Sequence, residues 1–286
     1  MVTPSLNQTE LLACCVASVA DQQEVEVEHV IQDACTPGFQ GFASRMAREW
    51  PDRQGYRRIM ISEPDRGMYD AINRGLRRGD GEICAYLNCD EQLLPGALAR
   101  VTTLFRRCPE VEILQGGFLV VDRDGRLVTA QRPVKLFAPH LMTSHLANFS
   151  CATFFRRRLL ESSSAWFSEE FRACGDALWN LQRIQEGVKS KISPEYFSVF
   201  TETGTNQGLT PASLKEREIL RANAPEWVQK GAVLWPMVHR WRKLWTGGYF
   251  PQRIEYEIWR EGQAEKRRKK FGPSWATGIW KSRLGL

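Results

Sequence analysis

The chain has 286 residues, of which 43% are hydrophobic and 25% charged, with a formal net charge of +6. That length buries one large core, or one core and a small appendage, and no apolar run approaches the roughly 18 residues of a membrane-spanning helix. The charge is uneven: residues 210–286 hold 16 Lys and Arg against 7 Asp and Glu, together with seven of the ten tryptophans, while the remainder carries a net −3.

No basic-then-apolar leader precedes the first polar segment, which points to an unsecreted, cytoplasmic chain. The eight cysteines lack paired metal spacing, which argues against zinc and for reduced, mostly buried thiols. MVTPSLNQ at the start reads as a short strand that Pro4 and Ser5 leave. Ser5 or Asn7 is placed to cap a helix over 9–19. Residues 26–33 alternate and then run apolar, as an interior parallel strand does. Asp33 at its end is open between a helix cap and a ligand contact.

A helix over 41–50 leads to a short strand over 58–62. Pro64-Asp65-Arg66-Gly67 is turn chemistry, and Met68, Ala71, Ile72 and Leu76 then recur at helical spacing until Gly79-Asp80-Gly81. Residues 82–87 return as a strand that ends in Asn88-Cys89-Asp90-Glu91. In an open α/β sheet, ligands bind beyond the carboxyl ends of the strands, so both polar loops point to one crevice. An amphipathic helix over 95–107, a strand over 111–121 and a hairpin at the Asp-Gly pair 124–125 follow. Gly175-Asp176 opens a helix with Ala177, Leu178, Leu181 and Ile184 facing inward, and 195–202 is a strand before a Gly- and Thr-rich loop.

The blocks SEPDRGMYDAINRG and GEICAYLNCDE, in this order and spacing, resemble the signature of family-2 glycosyltransferases with the GT-A fold. The resemblance covers roughly residues 1–208, most strongly 58–99. It implies an α/β fold: a Rossmann-like sandwich on a mostly parallel central sheet, with a catalytic domain over 1–208. The basic, Trp-rich stretch 209–286 is expected as a helical appendage. TPSLNQ is similar to the loop after the family's first strand, which implies donor contacts at Pro4, Ser5 and Asn7. Asp33 matches an Asp that contacts the nucleoside, although the sequence departs from the family over 34–38. Asp65 and Arg66 resemble residues that reach the nucleotide, a role suited to a guanidinium fork, and Asn73 one that lies near it.

The acidic loop resembles the motif that holds a divalent ion, Mn²⁺ or Mg²⁺, on the sugar-nucleotide diphosphate. Asp90 is then the metal carboxylate, and Asn88 stands where many members carry a first Asp. A hard cation of this kind needs only one or two carboxylates beside phosphate and water. GDALW resembles the family's catalytic-base segment, which makes Asp176 the base, with Glu169 and Glu170 in reserve. Gly116-Gly117 stands where members often have Gly-Asp. In NFSCATFFRR, Phe154 and Phe155 read as core, with Arg156 and Arg157 turned to the crevice. TETGTNQG resembles a loop that closes over the site.

The function so implied is inverting transfer of a sugar from a nucleotide-sugar donor to a hydroxyl acceptor, a glycan or a lipid-linked one, in polysaccharide or cell-envelope glycan synthesis. Two alternatives stand beside it. A nucleotidyltransferase would carry a glycine-rich phosphate loop after the first strand, which TPSLNQ is not. A non-catalytic GT-A relative binding a nucleotide, glycan or protein would explain the altered positions. No nucleic-acid module accompanies the basic tail. Its tryptophans beside Lys230, Arg240, Arg242 and Lys243, and the basic run over 266–270, suit an anionic membrane surface on the inner face. Packing back onto the catalytic domain is the other reading of the same residues.

Overall fold

The computed structural model describes residues 1–204, 210–260 and 268–280. Three parallel strands, β1 (Val2–Ser5), β2 (Val27–Asp33) and β3 (Tyr56–Ser62), alternate with α1 (Thr9–Ala20), α2 (Phe39–Glu49) and α3 (Met68–Arg78). Val30 and Ile31 of β2 are fully buried, as expected of a strand covered by helices on both faces. Beyond β1, the Val2 N–H donates to Ala85 O and the Leu87 N–H to Val2 O. The stretch 82–87 therefore does extend the sheet, although its regular strand, β4, is only Ile83–Cys84. Register sets Ser5 beside Asp33, and Asp33 beside Ser62. The carboxyl ends finish level, so the polar residues that follow them gather along one edge.

The second sheet contains β4, β5 (Glu91–Leu93), β6 (Ile113–Val121), β7 (Leu127–Gln131), β8 (Thr153–Arg156) and β9 (Ser190–Thr201). Its order is β4-β8-β6-β9-β5, with β7 pairing β6, and its one parallel pairing is β6 with β9. Helices α4 (Ala97–Arg107), α5 (Ala138–Thr143) and α6 (Gly175–Gln185) connect these strands. The β6–β9 pairing explains the missing carboxylate at Gly117. A Cβ there would lie 2.7 Å from the Tyr196 ring, and one at Gly116 2.1 Å from the Phe197 ring. Phe154 and Phe155 are core, as expected.

The last segment runs α7 (Pro211–Ala222), α8 (Glu226–Lys230), α9 (Leu234–Trp245), β10 (Gln252–Ile258) and β11 (Lys269–Ala276). The appendage expected to be helical is so only to Trp245, and then becomes an antiparallel hairpin. Much of it packs back. Trp280, 9% exposed, lies against Phe118, Phe149 and Phe200. Trp259 meets Trp50 edge-on at 4.9 Å and donates its indole N–H to Asp21. Arg268, read from sequence as part of a lipid-facing basic run, is turned inward and pairs with the same Asp21 at 2.6 Å. A buried guanidinium needs such a partner, and composition alone does not show one.

Candidate active site

The site begins with the loop after the 85–87 segment. Glu91 opens β5 opposite Phe200 of β9 and is almost wholly buried. Its carboxyl accepts the Asn88 N–H at 2.7 Å, while the Thr201 N–H donates to Asp90 O at 2.9 Å. The loop is thus tied at both ends. Burial, and then the neighbouring Asp90, hold the Glu91 carboxyl well above the usual carboxylate range. Asn88 Oδ1 is buried with no protein partner among the described residues. An orphaned amide oxygen next to a carboxylate is the donor set a hard divalent ion takes, so the residues present fit the metal that the motif implies.

Asn88, Asp90 and Glu91 line a cavity of about 490 Å³ together with Pro4, Ser5, Ala34, Asp65 and Asp176. Asp176 lies in the first turn of α6, whose N-cap is Cys174 and not the aspartate. Its Oδ1 accepts the Ala177 N–H at 2.8 Å and the Tyr69 hydroxyl at 3.3 Å, and the Tyr69 oxygen accepts the Asp176 N–H at 3.1 Å. This reciprocal pair needs close approach. A Cβ at Gly175 would sit 2.6 Å from the Tyr69 ring. Behind it, Asn180 donates to Asp176 O, Gln115 to Asn180, and Asn148 to Gln115, which anchors α6 to β6. Burial raises the Asp176 carboxyl to about 6, against the partial relief its two hydrogen bonds give. A carboxylate in that range is suited to accept a proton near neutral pH.

The loop before α6 is held from an unexpected quarter. Glu216 of α7, 6% exposed, accepts the backbone N–H groups of Arg172, Ala173 and Cys174 at 2.5–2.9 Å. Arg217 and Leu220 of the same helix line the cavity, as does Arg172. A division of the chain at 208/209 therefore runs through the cavity wall.

Several sequence expectations land elsewhere. Neither Ser5 nor Asn7 caps α1, whose N-cap is Gln8. Asn7 is outside the lining, and its backbone N–H donates to Thr36. Asp33 is fully buried outside the lining and takes Ser62 Oγ and the Thr36 N–H on Oδ2, with Oδ1 unpaired among the described residues. Arg66 is two-thirds exposed and pairs with Glu169 and Asp70 outside the lining. Asn73 spends its amide on both backbone groups of Phe167, a packing role. Arg156 and Arg157 turn away from the cavity, to Glu82 and Phe105 and to Gly81 and Leu76. Arg172 and Arg217, which no motif marked, are the guanidinium groups at the cavity among the described residues. Tyr69 and Glu216 were also missed: a tyrosine at a helical core position and a glutamate in a charged helix carry no local signal. Most of the expected closing loop, 205–209, lies outside the described residues.

Level strand ends, an oxygen-donor loop and a half-buried carboxyl line one cavity of an α/β protein. The family model for glycosyl transferase family 2 matches residues 1–162, more than half of the chain, and the chain belongs to that family. An O-antigen biosynthesis protein, RfbC, of Myxococcus xanthus is 28% identical over 141 residues, 49% of this chain and 10% of that protein. A PGL/p-HBAD biosynthesis glycosyltransferase of Mycobacterium bovis is 27% identical over 121 residues, 42% of this chain and 46% of that protein. The chain thus spans less than half the length of either relative. S. aureus TarS 1–349 in complex with UDP superposes with a TM-score of 0.58 at 14% identity, covering 81% of this chain and 68% of that one. The mannosyltransferase PcManGT from Pyrobaculum calidifontis, in complex with GDP-Man and Mn²⁺, gives 0.53 at 16% identity over 84% and 74%. These two likenesses concern the fold.

Proposed function

We propose that the chain transfers a sugar from a nucleotide-sugar donor to a hydroxyl of a glycan or lipid-linked acceptor, with inversion, in the synthesis of a cell-envelope glycan. The observation that carries this reading is Asp176, a carboxyl raised to about 6 that faces the Asn88–Asp90 loop across one cavity. Residues 1–208 form the catalytic core in this reading, and 209–286 an extension that completes its wall.

Asp90, with Asn88 beside it, would hold Mn²⁺ or Mg²⁺. The ion's chemistry is to offset the charge that grows on the departing diphosphate. The protein's own residues do the rest. Ser5, Pro4 and Asp65 border the nucleotide end, and Asp33, buried outside that lining, holds Ser62 and the Thr36 N–H of the adjoining loop. Arg172 and Arg217 supply cationic character in place of Arg66. Asp176, oriented by Tyr69, takes the acceptor's proton as the hydroxyl attacks. The relatives named for O-antigen and PGL biosynthesis, and the TarS and PcManGT complexes with UDP and GDP-Man, support a nucleotide-sugar donor and an envelope product.

The extension supports a seat on an anionic membrane surface. On α9 the usual amphipathic order is inverted. Leu234, Met237, Trp241, Leu244 and Trp245 are 49–82% exposed, while His239 is buried. Lys243 points inward to Gln131 and Gly278, and Arg242 to Lys135 O. An apolar stripe of this kind at the surface is the face an interfacial helix lays into headgroups.

The deciding experiment is donor binding and transfer with and without Mn²⁺ or Mg²⁺, in the native chain and in Asp90→Ala. Metal-dependent transfer that vanishes in Asp90→Ala supports the enzyme. Transfer at the native rate in that variant refutes the metal assignment. Binding without any transfer or donor hydrolysis would favour the non-catalytic alternative.

A further inference from the structure

Three of the four histidines in the chain, His140, His145 and His239, meet where α5 packs on α9, and each offers a ligand nitrogen within 4.8 Å of the others. Their origins differ. His140 is on α5, His145 two residues beyond that helix, and His239 on the inward face of α9. The His140 and His239 rings stack at 4.1 Å, and His145 meets both edge-on at 4.8 and 5.9 Å.

Packing alone leaves two features of this cluster unexplained. His140 is 2% exposed, yet its Nε2 has no hydrogen-bond partner among the described residues. Buried polar groups normally have one. Ser144 Oγ bonds His145 Nδ1 at 2.9 Å, the outer-partner arrangement common around metal-bound histidines.

We propose that His140, His145 and His239 bind one divalent ion of the zinc class, in a site separate from the oxygen-donor loop at Asp90. Three imidazoles suit zinc and other late first-row ions, whereas carboxylate and amide oxygens suit Mg²⁺ and Mn²⁺. Zinc–nitrogen bonds of about 2.0–2.1 Å draw the three nitrogens to about 3.4 Å from one another, so binding tightens the cluster. Arg240, Arg242 and Lys243 of α9 lie close enough to oppose a positive charge at the cluster, but two of them are directed to other partners. Arg242 lies over the Phe137 ring at 4.7 Å and reaches Lys135 O, and Lys243 is held by Gln131 and Gly278.

The ion would do two things. It would clamp α9, and with it the exposed aromatic face, onto α5. It would also fix the part of the cavity wall that Leu141 of α5 and His145 supply. The expectation against zinc rested on cysteine spacing, and a site made of histidines from distant segments escapes that test.

The experiment uses the full chain, stripped of metal, titrated with Zn²⁺ by calorimetry and with Co²⁺ by absorption. One equivalent of Zn²⁺ is expected, with tetrahedral Co²⁺ bands and no thiolate-to-cobalt charge transfer, which separates the site from the eight cysteines. Saturating Zn²⁺ should raise the Tm by roughly 5 °C. Asp90→Ala should retain this equivalent. His239→Gln and His145→Ala should each weaken it by more than about 10²-fold, beyond the loss typical of an outer partner. His145 is exposed, so its replacement leaves the fold intact and the test decisive. Absence of the equivalent in the native chain, native affinity in both histidine variants, or its loss in Asp90→Ala would overturn the proposal.

Discussion

The strand-end half of the molecule and its C-terminal segment contribute to one cavity by opposite means. In the first, short motifs place polar residues where parallel strands finish level, and backbone pairing fixes Ser5, Asp33, Asn88 and Asp90. In the second, single side chains reach across long stretches of sequence: Glu216 to the loop before Asp176, Trp280 to the ring cluster behind the wall, Arg268 to Asp21. Local geometry writes itself into sequence as a pattern, whereas a lone long-range contact does not. The C-terminal segment looked like an attachment because its charges and tryptophans were counted without their partners.

The sharpest test of the first region is the base. Asp176→Asn keeps the shape and the Tyr69 contact but cannot take a proton. Turnover should fall by about 10²–10⁴-fold with donor affinity nearly unchanged. An equal loss of donor affinity would make Asp176 a binding residue. In the native enzyme, activity should rise with pH through about 6 as the carboxyl ionises. Stability moves the other way. A carboxyl raised in the folded state favours folding while protonated, and its contribution declines as pH climbs from the ordinary Asp range to about 6. Asp176→Asn should remove both dependences, read from pH–rate profiles and urea midpoints.

If the C-terminal segment were only an attachment, Trp280 would be replaceable. It is buried among Phe118, Phe149 and Phe200, and Phe149 and Phe200 line the cavity. Trp280→Ala should therefore cost about 3–5 kcal/mol of stability, the range for emptying a large aromatic site, with a matching drop in the urea midpoint. An unchanged midpoint would restore the view of an independent appendage.

Glu216 joins the two regions, and its replacement is expected to act more weakly. Glu216→Gln keeps one acceptor oxygen and loses the charge that three backbone N–H groups share. A loss of about 1.5–3 kcal/mol of stability is expected. Because the loop aims Asp176, kcat should fall roughly 10-fold, an estimate for modest misalignment of a positioned base, with the acid limb near 6 retained. A fall in stability with native kcat would reduce Glu216 to a structural brace.

Most of the first region was legible. The strands over 26–33 and 58–62, the Asp-Gly hairpin and the two polar loops follow from apolar period and turn chemistry, and Pro4, Ser5, Asp65, Asn88, Asp90 and Asp176 do line one cavity. Arg66 and Asn73 were misplaced because a motif fixes the backbone, not which way a side chain at its edge turns. Arg66 finds Glu169, more than a hundred positions away, and Asn73 finds Phe167. The turn from helix to hairpin after Trp245 was hidden by aromatic and basic residues that suit either state, since packing and burial largely decide strand preference.

The smallest expected effect separates the two faces of α9. Sequence pointed to aromatic rings and cations together meeting an anionic membrane. The structure divides them: the rings face out, while Arg242, Lys243 and Arg268 are engaged inside and Lys230 pairs with Glu226 at 2.6 Å. Attraction to the surface then rests mainly on apolar insertion, with Arg240 as an exposed charge on that helix. Truncation at 225 is a poor test, because it also removes Trp259 and Trp280 from the core. Trp241→Ser with Trp245→Ser leaves the packed face untouched. Co-sedimentation with anionic vesicles should weaken about 10-fold, as expected if each ring buries part of its apolar surface at the interface. The salt dependence of the remaining binding should be shallow, since few charges approach the headgroups. Native binding in the double variant, or binding abolished by moderate salt, would return the interaction to the charges and remove α9 as the contact.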